Sequence, residues 1–187
     1  GYFGHTKDVP AYSYDPPRAK QLLADAGYPK GFKTVFYANP VYANQDLSIA
    51  VQGYLREVGI DATLKIMDLA GVVAASKTEK IPLMIWGPAS RPFHPLPWLY
   101  TFFHSSNIGN LNTAYYRGAD DLLDQVTTEL SKEKQIETFQ QVQKKIMKDM
   151  CAVPLAYPYE CFAFQSHIKG FTASSLGFID CYPVYIE

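Results

Sequence analysis

Between residues 32 and 86 the chain switches repeatedly between two periodicities, and that alternation constrains its fold more than any other feature. Residues 32–38 read as a strand that Asn39-Pro40 ends. Over 46–58, Leu47, Ile49, Ala50, Val51, Tyr54, Leu55 and Val58 recur at helical spacing, and Gly59 supplies the stop. Ile60, Ala62, Leu64 and Ile66 then alternate with Asp61, Thr63 and Lys65, the period of a strand with one covered face. Asp68 is placed to cap a short helix reaching about Lys77, and 81–86 is a compact apolar run suited to a central strand. Strands separated by helices pair in parallel through right-handed crossovers, so the expected core is an α/β sheet.

Helices are marked on both sides of that core. Residues 14–29, YDPPRAKQLLADAGYP, spell one with both ends signposted: Asp15 as N-cap, Pro16 and Pro17 in the first turn, Gly27 as the left-handed terminator and Pro29 behind it. Ala19, Leu22, Leu23 and Ala26 share one face of it, predicted to dock against the start of the sheet. Asp120 opens a second helix with Leu122, Leu123, Val126 and Leu130 turned inward. Ser131 can cap a third, to about Met150, that buries Ile136, Phe139, Val142, Ile146 and Met150. These two are expected to form a hairpin over the sheet. Residues 153–165 and 177–186 read as extended, and the prolines in both point to edge strands or bulges.

Residues 87–112 stand apart. They hold Pro88, Pro92, Pro95 and Pro97 with several aromatic side chains, and only 96–103 suits a brief helix. A loop this long is uncommon in a compact domain unless it has a function or is disordered, and its aromatic content argues against disorder.

Composition narrows the function classes. The chain has 187 residues, 48% hydrophobic and 19% charged, which fits one folded domain and excludes a disordered one. Its net charge is −1 and its largest basic cluster is Lys144, Lys145 and Lys148, so no nucleic-acid partner is expected. The 14 tyrosines and 11 phenylalanines suit a surface that packs against small molecules or another domain; half-buried strand positions are the alternative. No apolar run approaches the ~20 residues that span a bilayer. The opening at Gly1, with neither initiator Met nor signal sequence, reads as an excised or processed piece. Cys151, Cys161 and Cys181 are too widely spaced for a zinc site of the Cys-x-x-Cys kind. Cys161 and Cys181 lie in strand-like sequence where an oxidising compartment would permit a disulfide, with free thiols as the alternative.

Five ordered motifs carry a family resemblance. They are YDPPRAKQLLADAGYP with Gly31-Phe32; the helix from Asp46 leading through Gly59-Ile60 into its strand; Trp86-Gly87 followed by Phe103-His104-Ser105; 116–123; and Ala152 to Tyr157 with HIKGF at 167–171. Together they resemble the extracellular solute-binding proteins of ABC importers, family 5, the oligopeptide, dipeptide and nickel class. The resemblance implies a periplasmic-binding-protein-like α/β lobe: a mixed, mostly parallel sheet flanked by helices, with a C-terminal helical hairpin and returning edge strands. It further implies that 1–187 is a single C-terminal ligand-binding lobe, with 1–13 a hinge-side leading segment, 171–187 a return segment, and the N-terminal lobe missing. The implied partners are a small-molecule or peptide ligand, that N-terminal lobe and a membrane permease. The implied location is periplasmic or extracellular, with lipid anchoring of the complete protein left open.

The resemblance also directs attention to the loop after Trp86. Peptide-binding members carry an Asp there for the ligand's ammonium group, whereas Pro88, Ala89, Ser90, Arg91, Pro92, Phe93, His94 and Pro95 include no acid. The expected ligand-binding residues are Trp86, Ser90, Arg91, Phe93, His94 and Trp98. Arg91 would be a planar anchor for a carboxylate or phosphate, with the aromatics packing on apolar parts; a solvated or internally paired arginine is the alternative. No cofactor or resident metal is expected, because His5, His94, His104 and His167 are scattered. No enzyme is expected either: His104, Ser105 and Asp120 can be written as a triad, yet no nucleophile elbow surrounds Ser105. A stand-alone α/β interaction module is the alternative reading.

Overall fold

The computed structural model of the chain describes residues 3–40, 45–78, 81–87, 94–156, 161–173 and 179–187. By packing, the chain divides into two units, Gly1–Val153 and Pro154–Glu187.

In the first unit, strands β1 (Phe32–Ala38), β2 (Ile60–Ile66) and β3 (Leu83–Ile85) form an all-parallel sheet in the order β2-β1-β3. Phe32 pairs with Ile60 through to Ala38 with Ile66, and Phe36 to Ala38 pair with Leu83 to Ile85. The two crossovers step in opposite directions from β1, so right-handed connections must place their helices on opposite faces. Helix α2 (Gln45–Glu57) accordingly lays Leu47, Val51 and Leu55 on Phe36, Ala38, Ala62 and Ile85. Helix α3 (Leu69–Thr78) packs Val72 and Ala75 on the other face, with Tyr37, Ile81, Met84 and Trp86. Alternate strand residues thus serve two cores. Asp68 caps α3 as expected, its Oδ1 accepting from Gly71 N–H at 2.7 Å.

Sheet pairing begins where two glycines meet. Gly31 (φ +74°) and Gly59 (φ +96°) each precede the first paired residue of their strand. A Cβ on Gly31 would lie 1.8 Å from the Gly59 carbonyl oxygen, so the backbones approach as they do only because the side chain is absent.

A third core joins helices α4 (Leu96–Phe103), α5 (Asp120–Thr128) and α6 (Lys132–Asp149) around Leu99, Phe103, Leu123, Val126, Phe139, Val142 and Ile146. Ser131 caps α6 through Lys134 N–H. Leu130 and Met150, expected inside, are exposed: α5 ends at Thr128, and Met150 is the left-handed residue that terminates α6. Buried Asn112 ties the connection between α4 and α5, donating to the carbonyls of His104 (3.0 Å) and Tyr116 (2.8 Å).

Helix α1 (Pro16–Asp25) forms where predicted, with Asp15 Oδ1 accepting from Arg18 N–H at 2.9 Å and Gly27 at φ +89°. Its predicted buried face is not buried. No residue of α1 is buried, and Leu22 is 51% exposed. Amphipathic spacing shows which face is apolar but does not supply a neighbour to cover it.

In the second unit β4 (Ile168–Lys169) pairs antiparallel with β7 (Tyr185–Ile186), and β5 (Thr172–Ala173) with β6 (Ile179–Asp180). The returning strands therefore pair with one another. Residues 153–156 and 161–165, read as strand-like, form no strand. Phe162 and Phe164 instead pack on Phe171, with ring centroids 5.6 and 4.7 Å away.

Cys161 and Cys181 are free, exposed thiols, so the bridge considered for them is not formed. One step beyond the pair Thr172–Asp180, Cys181 lies across from Phe171, while Cys161 precedes the paired strands. Cys151 is half-buried and burial pushes its thiol from 9.0 up to about 11. Its preference for the neutral form stabilises the fold below pH 9 and is lost as pH climbs towards 11. Iodoacetamide at pH 8 should therefore alkylate Cys161 and Cys181 quickly and Cys151 slowly, read by peptide mass spectrometry. Equal rates at all three would contradict this account.

Candidate functional site

In an open parallel sheet, ligands bind beyond the carboxyl ends of the strands where the strand order reverses. With the order β2-β1-β3, that point lies between the ends of β1 and β3, next to Asn39 and Trp86. The aromatic, proline-rich loop singled out from the sequence starts there.

The described ends of this loop are held by two groups of rings. Trp86 follows β3, and Trp98 sits in the first turn of α4; both rest on Phe102, with ring centroids 5.6 and 4.9 Å from it. Trp98 and Phe102 are four residues apart on one helix, the spacing at which side chains meet. The indole Nε1 of Trp98 is buried and meets no acceptor among the described residues.

The second group surrounds His94. Its ring lies 5.0 Å from Phe3 and 5.3 Å from Phe139, and those two rings are 5.8 Å apart, edge to face. The His94 Nδ1 accepts from Leu96 N–H at 3.4 Å, at the start of α4. Phe3 is brought there by a clasp on α6. Gln143 Nε2 donates to Gly4 carbonyl at 2.6 Å, and Lys144 pairs with Asp8. Gly4 has φ +70°, and a Cβ on it would sit 2.7 Å from the Cβ of Phe139.

Of the predicted site residues, Trp86 and Trp98 share one aromatic neighbour, and His94 packs between two phenylalanines. Ser90, Arg91 and Phe93 lie outside the described residues. Sequence reasoning missed Phe3, Phe102 and Phe139 as supports. The spacing of Trp98 and Phe102 was a usable signal for one of them; nothing local marks Phe3.

The residues weighed as a triad are arranged otherwise. Ser105 meets Asp120 through its backbone N–H, 2.9 Å from Oδ1. His104 Nδ1 accepts from Ser106 N–H at 3.1 Å and lies 2.7 Å from the Ser106 hydroxyl. Nδ1 is thus an acceptor, the ring proton belongs on Nε2, and Nε2 faces Asp124 at 3.3 Å. Tyr100 stacks on the imidazole at 4.1 Å. This histidine caps the 3₁₀ turn Ser105–Asn107. Tyr116, donating to Asp149 at 2.7 Å, has its phenol pushed strongly up, first by burial and then by that carboxylate. Among the described residues no group of three potential metal ligands occurs.

Comparison with known proteins agrees with this architecture. Heme-binding protein A of Haemophilus influenzae is 26% identical over 99% of this chain and 35% of its own length. The periplasmic binding protein DppA of Helicobacter pylori, solved with the peptide STSA, superposes with a TM-score of 0.81 at 27% identity, over 100% of this chain and 37% of that one. MoaA of A. tumefaciens R10, solved with mannopinic acid, superposes at 0.73 with 30% identity, over 82% and 32%. The chain spans about a third of the length of these binding proteins. Residues 1–110, covering the whole sheet and the Trp86 loop, match the family model for the middle region of bacterial extracellular solute-binding proteins, family 5, and the chain belongs to that family.

Proposed function

We propose that the chain is the C-terminal ligand-binding lobe of an ABC-importer receptor, which captures a peptide or another small polar solute against a second lobe and delivers it to a membrane permease. The location that goes with this is periplasmic or extracellular. The observation that carries the reading is the placement of an aromatic-footed loop at the strand-order reversal of a family 5 sheet. Relatives solved with the peptide STSA and with mannopinic acid support a small polar solute that carries charged groups.

Arg91 is the proposed anchor for an anionic group of that solute. Loop sequence 88–95 offers no acid to hold an ammonium, whereas a guanidinium binds carboxylate or phosphate through a planar fork. Such a contact, desolvated on closure, is worth about 1.5–3 kcal/mol. Mass spectrometry of what the complete receptor releases on denaturation would identify the solute. Calorimetry should then find that Arg91→Ala weakens its binding about tenfold or more. Unchanged affinity would remove Arg91 from the site, and a complete receptor that binds no solute would remove the reading itself.

A further inference from the structure

We propose that Phe3 is a positioning residue for the solute loop, acting through His94; this rests on the reading of that loop as the recognition segment. His94 is the first described residue after the stretch that carries Arg91, and its Nδ1 receives the N–H of Leu96 at 3.4 Å, which ties it to the first residue of α4. Helix α4 in turn carries Trp98 and Phe102, on which Trp86 rests.

Among the described residues, the rings packed on His94 are those of Phe3 and Phe139. Phe139 forms one wall and is fully buried in the helical core, so it is a fixed surface. Phe3 forms the other wall and is only half-buried, with Lys132 Nζ 6.0 Å from its ring centroid. Phe3 is therefore the removable member of the trio.

Three anchors bring it there from a distant part of the sequence: the Gly4 carbonyl bond from Gln143, the close approach of Gly4 to Phe139, and the Asp8–Lys144 pair. The leading segment and the C-terminal foot of the loop thus share one contact. A displacement of residues 3–8 changes what holds His94, and through it the first turn of α4.

The chain's two tryptophans, Trp86 and Trp98, both stand at the loop's ends, so their fluorescence reports on the loop without any ligand. Acrylamide quenching of the 187-residue chain should rise about twofold in Phe3→Ala, as local opening admits the quencher. In a His94→Ala background the same substitution should add nothing, because the group it acts through is gone. Phe3→Leu keeps apolar cover over α6 and so protects folding, but lacks a flat face; it should show at least half of the rise.

Unaltered quenching in Phe3→Ala and Phe3→Leu would overturn the proposal. So would an equal rise with and without His94, which would make Phe3 a cover for α6 alone. Because no ligand enters this experiment, its failure leaves the solute-receptor reading to be judged separately by Arg91→Ala.

Discussion

Gly31→Ala is expected to cost about 4 kcal/mol or more, at the upper end of single-substitution effects. The added methyl would lie 1.8 Å from the carbonyl oxygen and 2.4 Å from the carbonyl carbon of Gly59, both backbone atoms that no rotamer change can move. Relief requires β1 and β2 to separate at their first pair, Phe32–Ile60, and that pairing organises both faces of the sheet. Gly27 supplies the control. Its φ is +89°, but a Cβ there meets nothing within 4 Å, so Gly27→Ala carries only the left-handed strain of ~1–2 kcal/mol. Urea unfolding followed by circular dichroism would measure both. Equal costs for the two variants would show that the glycine pair is not held in close approach.

Phe139→Ala should be the most damaging truncation in the helical core, at about 3–5 kcal/mol. The side chain is 0% exposed and packs where α4, α5 and α6 converge. Its loss opens a cavity and also removes the wall behind His94 and the ring against which Phe3 stands. The effect on the loop should therefore exceed that of Val142→Ala, an equally buried change on the same helix with no described ring contact to His94. Thermal unfolding would rank the stabilities, and acrylamide quenching would show whether Phe139→Ala alone exposes the tryptophans.

Local signals in this sequence were reliable where local physics decides the outcome. Asp15, Asp68 and Ser131 cap the helices assigned to them, and the alternation of Ile60, Ala62, Leu64 and Ile66 against polar partners became β2. Parallel pairing was legible because the connections between strands leave little alternative. Burial was less so. Ile49 and Tyr54 sit at helical positions counted as inward, yet both are exposed, and among the described residues the apolar contacts of α2 with the sheet run through Leu47, Val51 and Leu55. Tyr54 packs instead on Tyr14, whose hydroxyl donates to Glu57 at 2.6 Å. A hydrophobic pattern wider than the available partner surface leaves some members outside, and only the partner's width decides which.

The candidate site divided along the same line. Trp86, His94 and Trp98 stood out because unusual residue types crowd into a segment with no regular period. The rings that hold His94, Phe3 and Phe139, lie far from it and from one another in the sequence, and contacts of that range leave no mark on neighbouring residues. The charged and aromatic groups of a candidate site are legible in composition, whereas the surfaces that hold them depend on the whole fold.

Both feet of the Trp86 loop, Trp86 and Trp98, stand on the single ring of Phe102, while the loop's own His94 is wedged against Phe139 of the helical core. Lengthening a loop is cheap in closure entropy, about 0.6 kcal/mol per doubling. Under the proposed receptor reading, insertions that alter cargo preference are therefore expected between Trp86 and His94, upstream of the contact that ties the loop to the helical core.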